Sequence, residues 1–247
     1  MLLEYVRGPN GCLRIENLEN VENIRSFLAG FKDRSPSTYA NVLKALKVFF
    51  RDFLNRGELV QTFRFPQRPI LPKQIPSKDE LKRFYEAIPS LKYKAMFLLF
   101  ASSGLRLSEA LKLKVSDLDF EKRIINVNHF SRTKKAWISL FNEEAKTVLL
   151  EHIKTSNLKP EDNLFREGKH RGLRPFVKAM RKTGLKISPQ ILREWFCCEM
   201  GRLCVPDRYV DAFCGRVPRS VLARHYTDFS PEKLKEIYDR AGLKVLS

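Results

Sequence analysis

The stretch Phe65-Pro66-Gln67-Arg68-Pro69-Ile70-Leu71-Pro72-Lys73-Gln74-Ile75-Pro76 places four prolines within twelve residues. Each proline fixes φ near −65° and lacks the N–H that a helix or sheet would use, so the segment favours an extended path. The spacing predicts a linker over residues 67–76, with one domain before it over 1–66 and a second after it over 77–247. Ser77-Lys78-Asp79-Glu80 follows at once. A serine with a glutamate three residues on is a capping-box signature, and Leu81, Phe84, Tyr85 and Ile88 continue it at helical spacing.

Working outward toward the start, Val21, Ile24, Phe27, Leu28 and Phe31 recur with a helical period. Ser35-Pro36-Ser37 interrupts that pattern and opens a longer helix with Tyr39, Val42, Leu43, Leu46, Phe49, Phe50 and Phe53 on its apolar stripe. The other face of this helix carries Lys44, Lys47, Arg51 and Arg56, a basic strip open to phosphates or to water. Residues 1–16, with Gly8-Pro9-Asn10-Gly11 as a turn, read as an extended arm.

Toward the end, Lys92–Ser103 reads as a buried helix stopped by Gly104, and Leu105–Leu111 begins a short new one. Alternation in Ile124-Ile125-Asn126-Val127-Asn128 and in Ala136-Trp137-Ile138-Ser139-Leu140 predicts two strands. They are joined by the basic turn His129-Phe130-Ser131-Arg132-Thr133-Lys134-Lys135. Helices are expected over Asn142–Lys154, Leu173–Thr183, Pro189–Cys198, Pro206–Phe213 and Ser220–His225. A last one is capped by Ser230-Pro231-Glu232 and runs through Tyr238. Trp137 and Trp195 are expected in the core. The fold class is mainly α, in two domains, with a small antiparallel β-sheet in the second.

Forty-six lysines and arginines against 28 aspartates and glutamates give 247 residues a formal charge of +18 and a pI near 9.9. The excess runs along the whole chain, which favours a polyanionic partner, most simply nucleic acid. Cys12, Cys197, Cys198, Cys204 and Cys214 show no paired C-x-x-C spacing, so neither a zinc site nor a disulfide scaffold is indicated. The four histidines are too scattered for a metal centre. A reduced, cytoplasmic protein fits this cysteine usage. The short apolar run at Met1–Arg7 is broken by charge, and no stretch approaches the roughly 20 apolar residues of a membrane helix.

Three places carry chemistry. Arg106 follows Gly104 at a helix start, where the chain bends and presents guanidinium donors to an anion. Arg193 lies in Ser188-Pro189-Gln190-Ile191-Leu192-Arg193, again at a helix start. Tyr226 lies in the basic stretch from Asp211 to Asp228. A phenol titrates near pH 10, so nearby cations or a base must ease its deprotonation before it can attack a phosphate. Tyr209 and Tyr238 are rival phenols. Neither follows a Gly-Arg pair, and Tyr238 falls in an apolar pattern with Leu234, Ile237 and Leu243.

Ser103-Gly104-Leu105-Arg106-Leu107-Ser108-Glu109 resembles the first arginine box of the tyrosine recombinases, the lambda-integrase-like and Xer-like site-specific recombinases. Pro189-Gln190-Ile191-Leu192-Arg193 resembles their second box. Cys214-Gly215-Arg216 followed by Arg224-His225-Tyr226-Thr227 resembles the closing box that ends in the nucleophile. The resemblance covers the chain in order and is strongest to the archaeal virus and plasmid integrases.

That resemblance implies a two-domain C-shaped clamp on double-stranded DNA, with an N-terminal core-binding domain and a catalytic domain. It implies strand cleavage and rejoining through a 3′-phosphotyrosine, with no cofactor or metal. Arg106 and Arg193 would hold the nonbridging oxygens, and Tyr226 would be the nucleophile. Lys134 would be the general acid, with Lys135 and Arg132 as rivals because turn length is not fixed by one sequence. Glu109 would orient Arg106 through an ion pair. Two positions depart from the family. Gln190 stands where histidine or lysine is common, leaving an amide donor in place of a proton carrier. Arg216 stands where histidine or tryptophan is usual, and would add a third clamp. A homotetramer on two duplexes is also implied, with the helix after Ser230 docking on a neighbour. Type IB topoisomerase chemistry and a non-enzymatic DNA-binding protein are the alternatives.

Overall fold

The computed structural model describes residues 20–67, 74–127, 138–165, 173–216 and 220–247, leaving aside the side chains of Ala223 and Arg224. The N-terminal arm, most of the proline-rich linker and the basic turn with Lys134, Lys135, Arg132 and Trp137 lie outside the described residues. The chain forms two compact units, Met1–Lys73 and Gln74–Ser247.

In the first unit, α1 (Val21–Ala29) starts where the Asn20 side chain accepts from the Glu22 N–H. The next helix, α2 (Pro36–Val48), starts on Ser35, whose hydroxyl accepts from Thr38, with proline at its first position. Ile24, Phe27 and Leu28 meet Leu43, Leu46 and Phe50, and Val60 from the short α3 (Glu58–Gln61) closes the core. That last helix is not legible in the sequence pattern.

The apolar stripe of α2 differs from expectation at its end. Phe49–Phe53 widens into a π-helical turn, with the Leu54 N–H bonding to the Phe49 carbonyl at 3.1 Å. Five-residue spacing rotates the following side chains off the 3.6-residue face. Phe53 is consequently 78% exposed and stacks on Phe49 at 5.5 Å instead of entering the core. Of the expected basic strip, Arg51 pairs with Asp52 and Arg56 with Glu58. Lys47 lies over the Phe65 ring, and Lys44 is exposed.

The second unit opens with the expected capping box. The Ser77 hydroxyl accepts from the Glu80 N–H and the Glu80 carboxylate from the Ser77 N–H, starting α4 (Lys78–Ala87). Its centre is α5 (Leu91–Ser103), in which every residue from Ala95 to Ser103 is buried. A helix apolar on all sides must be surrounded. Here α7 (Glu143–Thr155) and α9 (Pro189–Arg202) pack on it, while α4 packs against α8 (Arg174–Thr183). Each large apolar side chain so enclosed contributes about 1.5–3 kcal/mol.

A three-stranded antiparallel sheet lies in the order β1 (Leu118–Asp119), β2 (Ile124–Asn126), β3 (Ile138–Leu140). Ile125 faces Leu118 on one side and Ser139 on the other. Only β2 and β3 are expected from alternation, because a two-residue strand ending in aspartate shows none. The chain finishes with α10 (Asp207–Phe213), α11 (Val221–His225) and α12 (Pro231–Ala241), a helix that Gly242 ends in the left-handed conformation.

The end of α5 is where the site begins. Tyr238 of α12 donates its hydroxyl to the Ser102 carbonyl at 2.6 Å, and Ser139 of β3 donates to the Ser103 carbonyl at 2.9 Å. The last carbonyls of the helix are thus satisfied by the sheet and the C-terminal helix. Leu234, Tyr238 and Val245 are buried in this same unit, so α12 is seated on its own chain. Arg123 ties β2 to both Glu143 and Asp239 by ion pairs. Among the described residues, no helix is long and apolar enough to cross a membrane.

Candidate active site

Gly104 sets the geometry. It stops α5 in the left-handed region, φ +63°, which disfavours any residue with a side chain. A β-carbon there would lie 2.6 Å from the Phe196 ring and 3.0 Å from the Cys214 sulfur. The close approach lets the chain turn into Arg106, which heads the short α6 (Leu107–Ala110). Glu109 holds that arginine twice, accepting from its backbone N–H at 2.8 Å and from its guanidinium at 2.7 Å.

Arg193 comes from the first turns of α9, which Ser188 caps through the Ile191 N–H and Pro189 begins. Its guanidinium is buried, only 4% exposed, and donates to the carbonyls of Gly104 and Cys214, the latter at 2.7 Å. One side chain therefore links the turn before Arg106 to the turn before Arg216. Burial lowers its pKa, the nearby Cys214 raises it, and the charges of Arg106 and Arg216 lower it again. No carboxylate among the described residues pairs with it.

Arg216 follows Gly215, which has φ +59°, and is exposed. It reaches Asp211 at 3.2 Å and the Cys197 sulfur at 3.6 Å. Burial lowers its pKa, but Cys197, Cys214 and Asp211 together raise it more. Gln190 lies one turn before Arg193 on α9, is exposed, and donates its amide to Glu194 at 3.0 Å. The structure thus brings Arg106 and Arg216 each into electrostatic range of Arg193, with Gln190 on the same helix face as Arg193.

Tyr226 makes no hydrogen bond to these arginines among the described residues. It follows α11 directly, its N–H bonds to the Leu222 carbonyl at 3.0 Å, and its side chain is 78% exposed. No described residue hydrogen-bonds its hydroxyl. Val221 and Leu222 beside it are also exposed. The rival phenols are placed differently: Tyr238 is fully enclosed and bonded to Ser102, and Tyr209 is buried under Phe229. Lys134 and Lys135 lie outside the described residues.

Sequence reasoning missed one feature. Cys197 and Cys214 meet at 3.4 Å between sulfurs, directly beside the arginines. The available signal was spacing, since Cys197 is four residues after Arg193 and so shares its face of α9.

A helical unit with a small antiparallel sheet, two helix-start arginines and a tyrosine near its end defines the tyrosine recombinase class of fold. The chain belongs to the phage integrase family, whose profile matches residues 76–233. It is 29% identical over 217 residues to the tyrosine recombinase XerA of Pyrococcus furiosus, covering 82% of this chain and 73% of that protein. Among solved structures, the crystal structure of XerA recombinase aligns with a TM-score of 0.52 at 22% identity, over 98% of this chain and 88% of that one. The Tn1549 transposon integrase in complex with transposon right end DNA aligns with a TM-score of 0.67 at 16% identity, over 98% and 90%. At these identities the solved structures speak to the fold.

Proposed function

We propose that this chain is a site-specific recombinase that cuts and rejoins double-stranded DNA through a covalent bond between Tyr226 and a 3′-phosphate. The observation that carries the reading is the buried guanidinium of Arg193, flanked by two further arginines and lacking a carboxylate partner among the described residues. A buried cation is costly unless an anion compensates it, and a scissile phosphate is such an anion. Membership of the phage integrase family and a formal charge of +18 support a DNA substrate.

In this reading Arg106, Arg193 and Arg216 hold the nonbridging oxygens as negative charge gathers there in the transition state. Glu109 fixes Arg106 at the start of α6 so that its remaining donors point at the phosphate. The Gln190 amide exchanges Glu194 for a phosphate oxygen. The phenol oxygen of Tyr226 attacks phosphorus and loses its proton to water, the bond to the 5′-oxygen breaks, and Lys134 protonates that oxygen, with Lys135 and Arg132 as rivals for the role. Attack by a 5′-hydroxyl on the phosphotyrosine reverses each step, which rejoins a strand without a nucleotide. The unit Met1–Lys73 adds contacts to the duplex, and four copies act on two duplexes.

The test is a pool of nicked duplexes of randomised sequence, recovered as covalent complexes under denaturing conditions. Complexes enriched in one sequence support the recombinase. Uniform, sequence-independent complexes point to topoisomerase-like relaxation, and binding without any covalent complex contradicts the enzymatic reading.

A further inference from the structure

We propose that Cys197 and Cys214 are a redox-sensitive pair that closes into a disulfide when a peroxide reaches Cys197, and that closure turns the adjoining arginine cluster off. Only the effect on cleavage rests on the function proposed above; the bond itself does not.

The sulfurs are 3.4 Å apart and share a hydrogen bond. A disulfide needs about 2.05 Å, so an approach of about 1.4 Å closes it. Cys197 is half-buried and reachable, whereas Cys214 is buried between Gly104 and α9. The two thiols are unequal. The hydrogen bond with Cys214 pulls the Cys197 pKa down, burial opposes it, and the charges of Arg216 and Arg193 pull it further down. The same hydrogen bond and burial both push the Cys214 pKa up. Its reach and its guanidinium neighbour make Cys197 the thiol that a peroxide meets first, and Cys214 the resolving partner. A low-pKa, reachable thiol next to a second thiol is the arrangement on which reversible oxidation acts.

The chemistry balances with a peroxide as oxidant. The Cys197 thiolate attacks one peroxide oxygen, breaking the O–O bond and leaving a sulfenic acid and, after proton uptake, water. The Cys214 sulfur then attacks the Cys197 sulfur, and the hydroxyl leaves with the Cys214 proton as a second water. Two thiols are oxidised and one hydrogen peroxide is reduced to two waters. A dithiol reverses the bond by exchange.

The consequence for the site follows from what each cysteine touches. Arg216 loses the free Cys197 sulfur that lies 3.6 Å from its guanidinium. The Cys214 carbonyl, which accepts from Arg193, belongs to one of the two residues whose sulfurs must approach. Cys198 and Cys204 are exposed, and the Cys204 thiol lies 3.9 Å from the Arg202 carbonyl.

The experiment treats the reduced protein with hydrogen peroxide, maps crosslinked peptides by mass spectrometry without reduction, and measures cleavage of a nicked duplex. The expected crosslink is Cys197–Cys214. Cleavage should fall about 10²-fold, the usual effect of losing one oxyanion donor, and return with dithiothreitol. Cys197→Ser should show the same rate with and without peroxide, and Cys198→Ser should respond as the unaltered chain does. Absence of that crosslink, or its formation with undiminished cleavage, overturns the proposal. A reduced protein that forms no covalent complex is a separate failure, that of the enzymatic reading, and the crosslink map then decides the pair by itself.

Discussion

Arg193 and Cys214 are joined by a 2.7 Å hydrogen bond from guanidinium to carbonyl, which crosses from α9 to the turn that presents Arg216. With its companion bond to the Gly104 carbonyl, it makes Arg193 a structural tie as well as a candidate phosphate ligand.

That double duty separates the arginines in experiment. Arg193→Ala should abolish cleavage and also destabilise the unit, because leaving buried carbonyls unpaired costs about 1–3 kcal/mol each. Arg106→Ala should lose cleavage by about 10²–10³ with a much smaller effect on unfolding, since it frees only Glu109 at a half-buried position. Urea denaturation beside covalent-complex yield distinguishes the two.

Gly104 and Gly184 make a matched pair. Both have positive φ, but a β-carbon at Gly184 meets nothing within 4 Å, whereas at Gly104 it meets Phe196 and Cys214. Gly184→Ala should cost about 1 kcal/mol from backbone strain alone. Gly104→Ala should cost clearly more and lower cleavage too, because the clash displaces the turn into Arg106. Equal costs at the two positions would contradict this reading of the turn.

The His152 ring is buried against Phe165, with its nitrogens at 3.1 Å from the Leu164 carbonyl and the Ser156 hydroxyl. Burial lowers its pKa below the usual 6.5, although the bond to Leu164 works the other way. The folded chain thus favours the neutral ring, and the stability so gained is complete above about pH 6.5 and drains away as pH falls toward the folded value. The melting temperature should drop between pH 7 and pH 5, and His152→Gln should flatten that part of the profile. An unchanged slope in the variant would contradict it.

Glu109→Gln tests positioning. The amide keeps one acceptor for the Arg106 N–H but gives up the ion pair at 2.7 Å. Cleavage should fall by about tenfold, less than the 10²–10³ expected for removing the arginine, and Glu109→Asp should not recover it because a shorter side chain misses one of its two partners. Parallel cleavage rates for the three variants check the order.

The helices were legible where period and caps agreed. Ser77 with Glu80, Ser188 with Pro189, and Ser230 with Pro231 each mark an observed start. What the sequence hid was set by longer-range or irregular geometry. The π turn at Phe49–Phe53 breaks the 3.6-residue period from within, so Phe53 read as core and is exposed. β1 is two residues long and shows no alternation. At the site, the boxes around Arg106, Arg193 and Arg216 were readable, but that Arg193 spends donors on two carbonyls depends on contacts 89 and 21 residues away in sequence. The meeting of Cys197 with Cys214 was hidden for the same reason.

The central claim is that the exposed phenol of Tyr226 is the nucleophile, and peptide mapping of the covalent complex formed on a nicked duplex tests it most directly. The expected result is a nucleotide-bearing peptide that contains Tyr226, with no covalent complex from Tyr226→Phe. A complex that maps to Tyr209 or any other residue, or that survives the Tyr226→Phe substitution in a denaturing gel, would contradict it.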